Sequence, residues 1–208
     1  MRTIVLVGLL VAVAGCVGLA CDEGAVLVLP GGDIEVRYLN NSTTPPTEER
    51  VIFVPETKFV PVVTESHTFD PQTGLYTYTY TLTNSPASPQ QINMFFLKVM
   101  VGVSNPAAPA PQWEFEPEGH AIKGGVGWWF SFGVPREDRA THGLLPGQVG
   151  TFSFRSASPP GALTAYLKGF TPMVDFPGEL PDCVADLLLP YEMAFVQVPT
   201  VGPVRGGQ

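Results

Sequence analysis

The sequence predicts an all-β protein built as an antiparallel two-sheet sandwich, and three observations carry that prediction. The first is composition: 22 glycines and 22 prolines interrupt a 208-residue chain that is 45% hydrophobic. Disorder needs low hydrophobicity, so this balance points to short apolar strands cut by many turns. The second is the stretch "LYTYTYTLTN", Leu75 to Asn84. It places Tyr76, Tyr78, Tyr80 and Leu82 on one face and Thr77, Thr79, Thr81 and Thr83 on the other. A period of two held this long marks a strand with one covered side and one wet side. The third is the recurrence of short apolar runs with turn residues between them.

The chain opens on Met1 and Arg2, followed by an apolar stretch from Thr3 to Ala14. A stretch of twelve fits the core of an export signal and is too short for a bilayer-spanning helix of about 20 residues. "VAGC" (Val13 to Cys16) resembles the bacterial lipobox, with Val13 where that motif prefers leucine. The resemblance implies that residues 1–15 are a lipoprotein-type signal peptide and that Cys16 is diacylated and becomes residue one. Cleavage after Ala20 is the competing route, since Gly18 and Ala20 are both small. Either route removes or modifies Cys16 and leaves Cys21 and Cys183 as a pair. An exported chain with three cysteines therefore reads as one disulfide. A loop of that length would add on the order of 5 kcal/mol in the chain-entropy account.

From residue 22 to 198 the pattern reads as a single domain. Two early strands, "DIEVRY" and "RVIFV", flank an exposed loop, "NNSTTPPTE". "DPQTG" supplies the turn before the tyrosine strand and "NSPASP" ends it. "INMFFLKVMVGV" (92–103) is apolar on both faces and reads as a central strand, with Lys98 snorkelling from its end. "SNPAAPAPQ" breaks the chain, and then come "WEFEP", "GWWFSFG", "VGTFSFRS", "ALTAYLKG" and "YEMAFVQV". "DCVADLLL", before Pro190, supplies at most one or two helical turns, capped by Asp182. About nine short strands make the sandwich immunoglobulin-like. Residues 199–208 read as a flexible tail.

At "YTYTYTLTN" and "LLPGQVGTFSFRSASPPG" the chain resembles a loose group of uncharacterised exported bacterial β-sandwich proteins. They share a Y-x-Y-x-Y strand ending in Asn, and a PG-x-x-x-x-F-x-F-x-S hairpin followed by PG. The resemblance spans roughly residues 70–170 and implies fold and export, not a site.

The formal charge of −8, without a Lys/Arg cluster, excludes nucleic acid as a partner and disfavours adsorption on anionic lipid. Membrane contact is then expected through the lipid anchor. No catalytic constellation is present: "GVSNP" (Gly102 to Pro106) departs from the nucleophile elbow at its last position, and a paired Cys21 and Cys183 are no nucleophiles. His67, His120 and His142 lack metal-ligand spacing. "WEFEPEGH" puts Glu114, Glu116, Glu118 and His120 at alternate positions, which reads as a solvated acidic face. No metal and no cofactor are expected.

One stretch, "KGGVGWWFSFG", suggests a ligand. Adjacent tryptophans in a strand face opposite ways. Trp128 shares its parity with Phe130 and Phe132 and belongs to the core. Trp129 shares its parity with Gly125, Gly127, Ser131 and Gly133. Its ring either lies across the glycine backbone or stands as a platform for a ligand, with Trp113 as a second candidate. The sequence-level expectation is a non-catalytic, extracytoplasmic envelope protein, lipid-anchored or secreted, with a structural or interaction role. The partner would be a protein or a glycan. A carbohydrate-binding module is the alternative, and a hydrolase with carboxylates assembled from loops ranks last.

Overall fold

The computed structural model describes residues 25–118, 122–130, 142–171 and 175–205. Cys16, Cys21, His120, Ser131, Phe132 and Gly133 lie outside them. Among the described residues the chain forms twelve strands and one helix, and every strand pair is antiparallel. The all-β class holds. The expected count of nine strands in two sheets does not, because the strands form three sheets. The chain separates into two compact units, with boundaries at Phe53/Val54, Met173/Val174 and Leu189/Pro190.

The smaller unit carries a three-stranded sheet, β1 (Val26–Val28), β2 (Ile34–Asn40) and β3 (Thr47–Phe53). Strand β2 alternates, so Ile34, Val36, Tyr38 and Asn40 share one buried face. The Tyr38 hydroxyl donates to the Pro177 carbonyl at 2.8 Å, and its ring meets Phe176 edge-on. Helix α1 (Asp182–Glu192) starts with an acidic residue at its positive end and buries Val184 and Leu188, four apart on one stripe. It exceeds the expected one or two turns and runs through Pro190. The proline lies in the final turn, where it removes one backbone bond rather than breaking a long helix.

The larger unit has a four-stranded sheet, ordered β4 (Pro61–Asp70), β5 (Leu75–Asn84), β10 (Val149–Ser156), β7 (Ser104–Ala107). Its five-stranded sheet is ordered β12 (Val196–Pro203), β11 (Pro160–Gly169), β6 (Ile92–Leu97), β9 (Val126–Phe130), β8 (Trp113–Glu116). The two sheets face each other across an aromatic core. Tyr78 and Tyr80 of β5 stand opposite Phe154 and Phe152 of β10. From the other sheet, Phe95 approaches Phe152 at 5.2 Å between ring centroids and stacks on Trp128 at 5.8 Å. All six rings are essentially inaccessible. The alternation read in "LYTYTYTLTN" is thus the inner and outer face of β5.

Several boundaries move. Strand β4 was not expected: its polar residues, Thr64, Ser66 and Thr68, face out from an edge, and Glu65 and His67 interrupt its inner face. The five-residue turn from Asp70 to Gly74 was its visible signal. There the Asp70 carboxylate accepts from the Gln72 amide and the Thr73 hydroxyl, and Gly74 takes φ +70°. Strand β7 contains Pro106, tolerable because it lies at an edge. Strand β6 stops at Leu97, well short of Val103. The segment "YEMAFVQV" begins as helix and becomes strand at Val196. The expected tail is, through Pro203, the second half of β12, paired residue by residue with β11. Finally, the chain crosses from one sheet to the other between β10 and β11.

Candidate functional site

Trp113 and Trp129 end in different surroundings. Trp113 is 6% exposed, its ring edge-on to Phe130 and Phe152. A platform needs an open ring face, so Trp113 is core and the expectation that it could bind a ligand is corrected. Trp129 is half-buried on the outer side of the five-stranded sheet. Met94 of β6 and Glu114 of β8 lie directly opposite it, and Lys168 of β11 lies opposite Met94. Directly opposed residues share a face, so Lys168, Met94, Trp129 and Glu114 form one transverse row. The ring that covers Gly127 is that of Phe96: a Cβ on Gly127 would fall 2.5 Å from it. Aromatic shielding of the glycine backbone is therefore real, with Phe96 in the shielding role.

The row is charged at both ends. Lys168 pairs with Glu56 at 2.6 Å and lies 5.8 Å from the Phe195 ring, which meets Tyr166 edge-on. Glu114 is exposed at the other end. An indole flanked by a thioether and a carboxylate can stack on the apolar face of a sugar ring while accepting a hydroxyl hydrogen bond.

A second polar group occupies the rim of the four-stranded sheet. His67 Nδ1 lies 2.9 Å from Glu65 Oε1, and the imidazole leans on Tyr76 and Tyr78 at 6.5 and 5.9 Å. The Tyr78 hydroxyl donates to the Ser158 carbonyl, and that of Tyr80, opposite Glu65, donates to the Val201 carbonyl. Burial pushes the Tyr78 hydroxyl up to about 12, and pushes Tyr80 further in the same direction, with Glu65 adding to both. Neither phenol is poised as a nucleophile at neutral pH. Ser104 of "GVSNP" directs its hydroxyl at the Arg155 carbonyl. His142 packs on Phe130.

A cavity of about 630 Å³ is lined by Val99, Met100, Glu118, Lys123, Gly124 and Gly125. Among the described residues no group of three or more His, Cys, Asp or Glu side chains can hold a metal ion.

In the smaller unit, Glu35 is buried within β2, and both Arg37 and Arg50 pair with its carboxylate. Burial raises the Glu35 pKa, and the two guanidiniums outweigh it, holding the carboxyl below the usual glutamate range. The sequence hid this group because Glu35 and Arg37 look like the wet face of an alternating strand. Cys183 lies in the first turn of α1. Comparison with protein-family models, curated proteins and solved structures finds no match to this chain.

Proposed function

We propose that this chain is an exported cell-envelope protein, tethered through lipid on Cys16 or released by cleavage after Ala20, whose β-fold serves structure or interaction rather than catalysis. The observation that carries the reading is the twelve-residue apolar stretch from Thr3 to Ala14, overlapped at its end by "VAGC" (Val13 to Cys16). The use of polar side chains in the larger unit supports it. Asn84 donates to the carbonyls of Gln90 and Leu144, and Gln90 donates to Pro55 and Thr171. These buried amides tie loops to strand ends. In the same reading Cys183 bonds to Cys21, an arrangement suited to an oxidising compartment.

The larger unit belongs with immunoglobulin-like sandwiches in this reading. What supports this is strand adjacency: β4-β5-β10-β7 occupies the A-B-E-D positions, and β12-β11-β6-β9-β8 the G-F-C-C′-C″ positions. The chain visits the D, C″ and C′ positions in an order of its own.

Detergent-phase partitioning and intact-mass analysis of protein from native membranes test the proposal. The expected result is an acylated chain beginning at Cys16, two hydrogens lighter for the disulfide, that moves to the aqueous phase on Cys16→Ser. A chain retaining residues 1–15 unmodified overturns it. A second reading, carbohydrate binding, draws on the Lys168–Met94–Trp129–Glu114 row. Titrating intrinsic fluorescence with a glycan panel tests it; a response unchanged by Trp129→Ala removes it.

A further inference from the structure

Arg37 and Arg50 stand directly opposite one another on β2 and β3. Like charges so placed destabilise a strand pair, and the single carboxylate between them offsets that repulsion. Glu35 is wholly buried, whereas the two arginine side chains are 44% and 65% exposed. One guanidinium neutralises one carboxylate, so the second leaves the triad with a net positive charge. The donors are also unevenly used. Arg37 engages Glu35 through Nε, and Arg50 through Nε and Nη2. Each guanidinium has five N–H donors, more than one shared carboxylate can accept from, and both side chains reach solvent.

The surroundings favour an external anion over a local one. Glu48 lies two residues from Arg50 on the same face, opposite Leu39. Among the described residues no ion pair joins it to either arginine. Exposed Ile52 and half-buried Leu39 flank the pair along the same face. The buried carboxylate fixes the planes of both forks before any ligand arrives, which lowers the ordering cost of binding.

We infer that Arg37 and Arg50, oriented by buried Glu35, form a binding site for a phosphate group. The planar carboxylate position between the forks is already filled by Glu35. A tetrahedral anion has enough oxygens to accept from the remaining donors of two directly opposed arginines, and the guanidinium fork suits phosphate. The phosphate comes from a lipid headgroup or from a free phosphate, and the two sources share this chemistry. The site does not depend on how the chain is exported or anchored.

The test is a titration of the full chain followed through the arginine Nε–H resonances at constant ionic strength. One arm uses inorganic phosphate and the other glycerophosphoglycerol, a headgroup without its tails. Saturating shifts of the Arg37 and Arg50 signals are expected. Tighter binding of glycerophosphoglycerol assigns the site to lipid, and tighter binding of inorganic phosphate assigns it to a free anion. Arg50→Gln keeps the Arg37–Glu35 pair, so the amide spectrum of β2 persists while binding weakens roughly tenfold or more. Arg50→Lys keeps the charge, loses the fork and falls between. Shifts that fail to saturate, or that chloride reproduces, overturn the site, as does wild-type affinity in Arg50→Gln.

Discussion

A three-stranded sheet carries the smaller unit, while a four-stranded and a five-stranded sheet enclose the core of the larger one. The side chains that hold them differ in kind. Between the two larger sheets lie Tyr78, Tyr80, Phe95, Trp128, Phe152 and Phe154, all inaccessible and in mutual ring contact. The small sheet buries Ile34, Val36, Tyr38 and Phe53, but it also buries a carboxylate and neutralises it with two arginines. Two facing sheets remove enough apolar area from water to stabilise themselves, whereas a small sheet has less to remove and leans on charge. The lesson concerns robustness: area-driven packing is insensitive to acid, and packing that relies on a buried carboxylate is not.

The largest expected effect is on the aromatic core. Trp128→Ala removes a ring in contact with Phe95, Phe115, Phe152 and Phe154 and should cost about 3–5 kcal/mol by urea denaturation. A loss below about 1 kcal/mol would mean the rings are not close-packed, and the contrast between units would fall. Next comes the polar tie at the end of β5. Asn84→Ala strands the Gln90 and Leu144 carbonyls and should cost about 2 kcal/mol, measured in the same way.

The pH responses separate the units more sharply. Glu35 titrates below the ordinary glutamate value of 4.5 in the folded chain. Its contribution is therefore complete above that value and is lost as pH falls through the lower native one. Amides of β2 should exchange faster below pH 4.5, and Glu35→Gln should abolish that slope. Tyr78 behaves oppositely. With its hydroxyl raised from 10.0 to about 12, its contribution is complete below 10 and is lost as pH rises through 12. Phenolate absorbance should therefore lag that of free tyrosine, and Tyr78→Phe should reduce the lag. An acid-sensitive larger unit, or a β2 indifferent to acid, would break the comparison.

The smallest effect belongs to the half-buried indole. Trp129→Ala should change stability by about 1 kcal/mol or less, in contrast to its immediate neighbour Trp128. A larger loss would show that the ring holds the outer face together and is no ligand platform.

Alternation in the tyrosine strand, the Gly/Pro punctuation and the parity of Trp128 and Trp129 were legible in the sequence because they are local. Each follows from the two-residue period of a strand, and the structure places Tyr78, Tyr80 and Trp128 inside accordingly. Trp113 was misjudged because parity assigns a residue to a face without saying which face is covered. Strand β4 escaped notice because its inward side carries Glu65 and His67, and "VPTVGPVRGGQ" because prolines in an edge strand look like linker. The division into two units and the pairing of β10 and β11 with different sheets depend on contacts far apart in sequence. So does the meeting of Arg50 with Glu35 and Arg37, which no local pattern encodes. A strand's own residues determine that it is a strand and which side chains share a side. Its neighbours, set by the packing of the whole chain, decide what each side faces, and with it whether a charge is solvated, buried or assembled into a site.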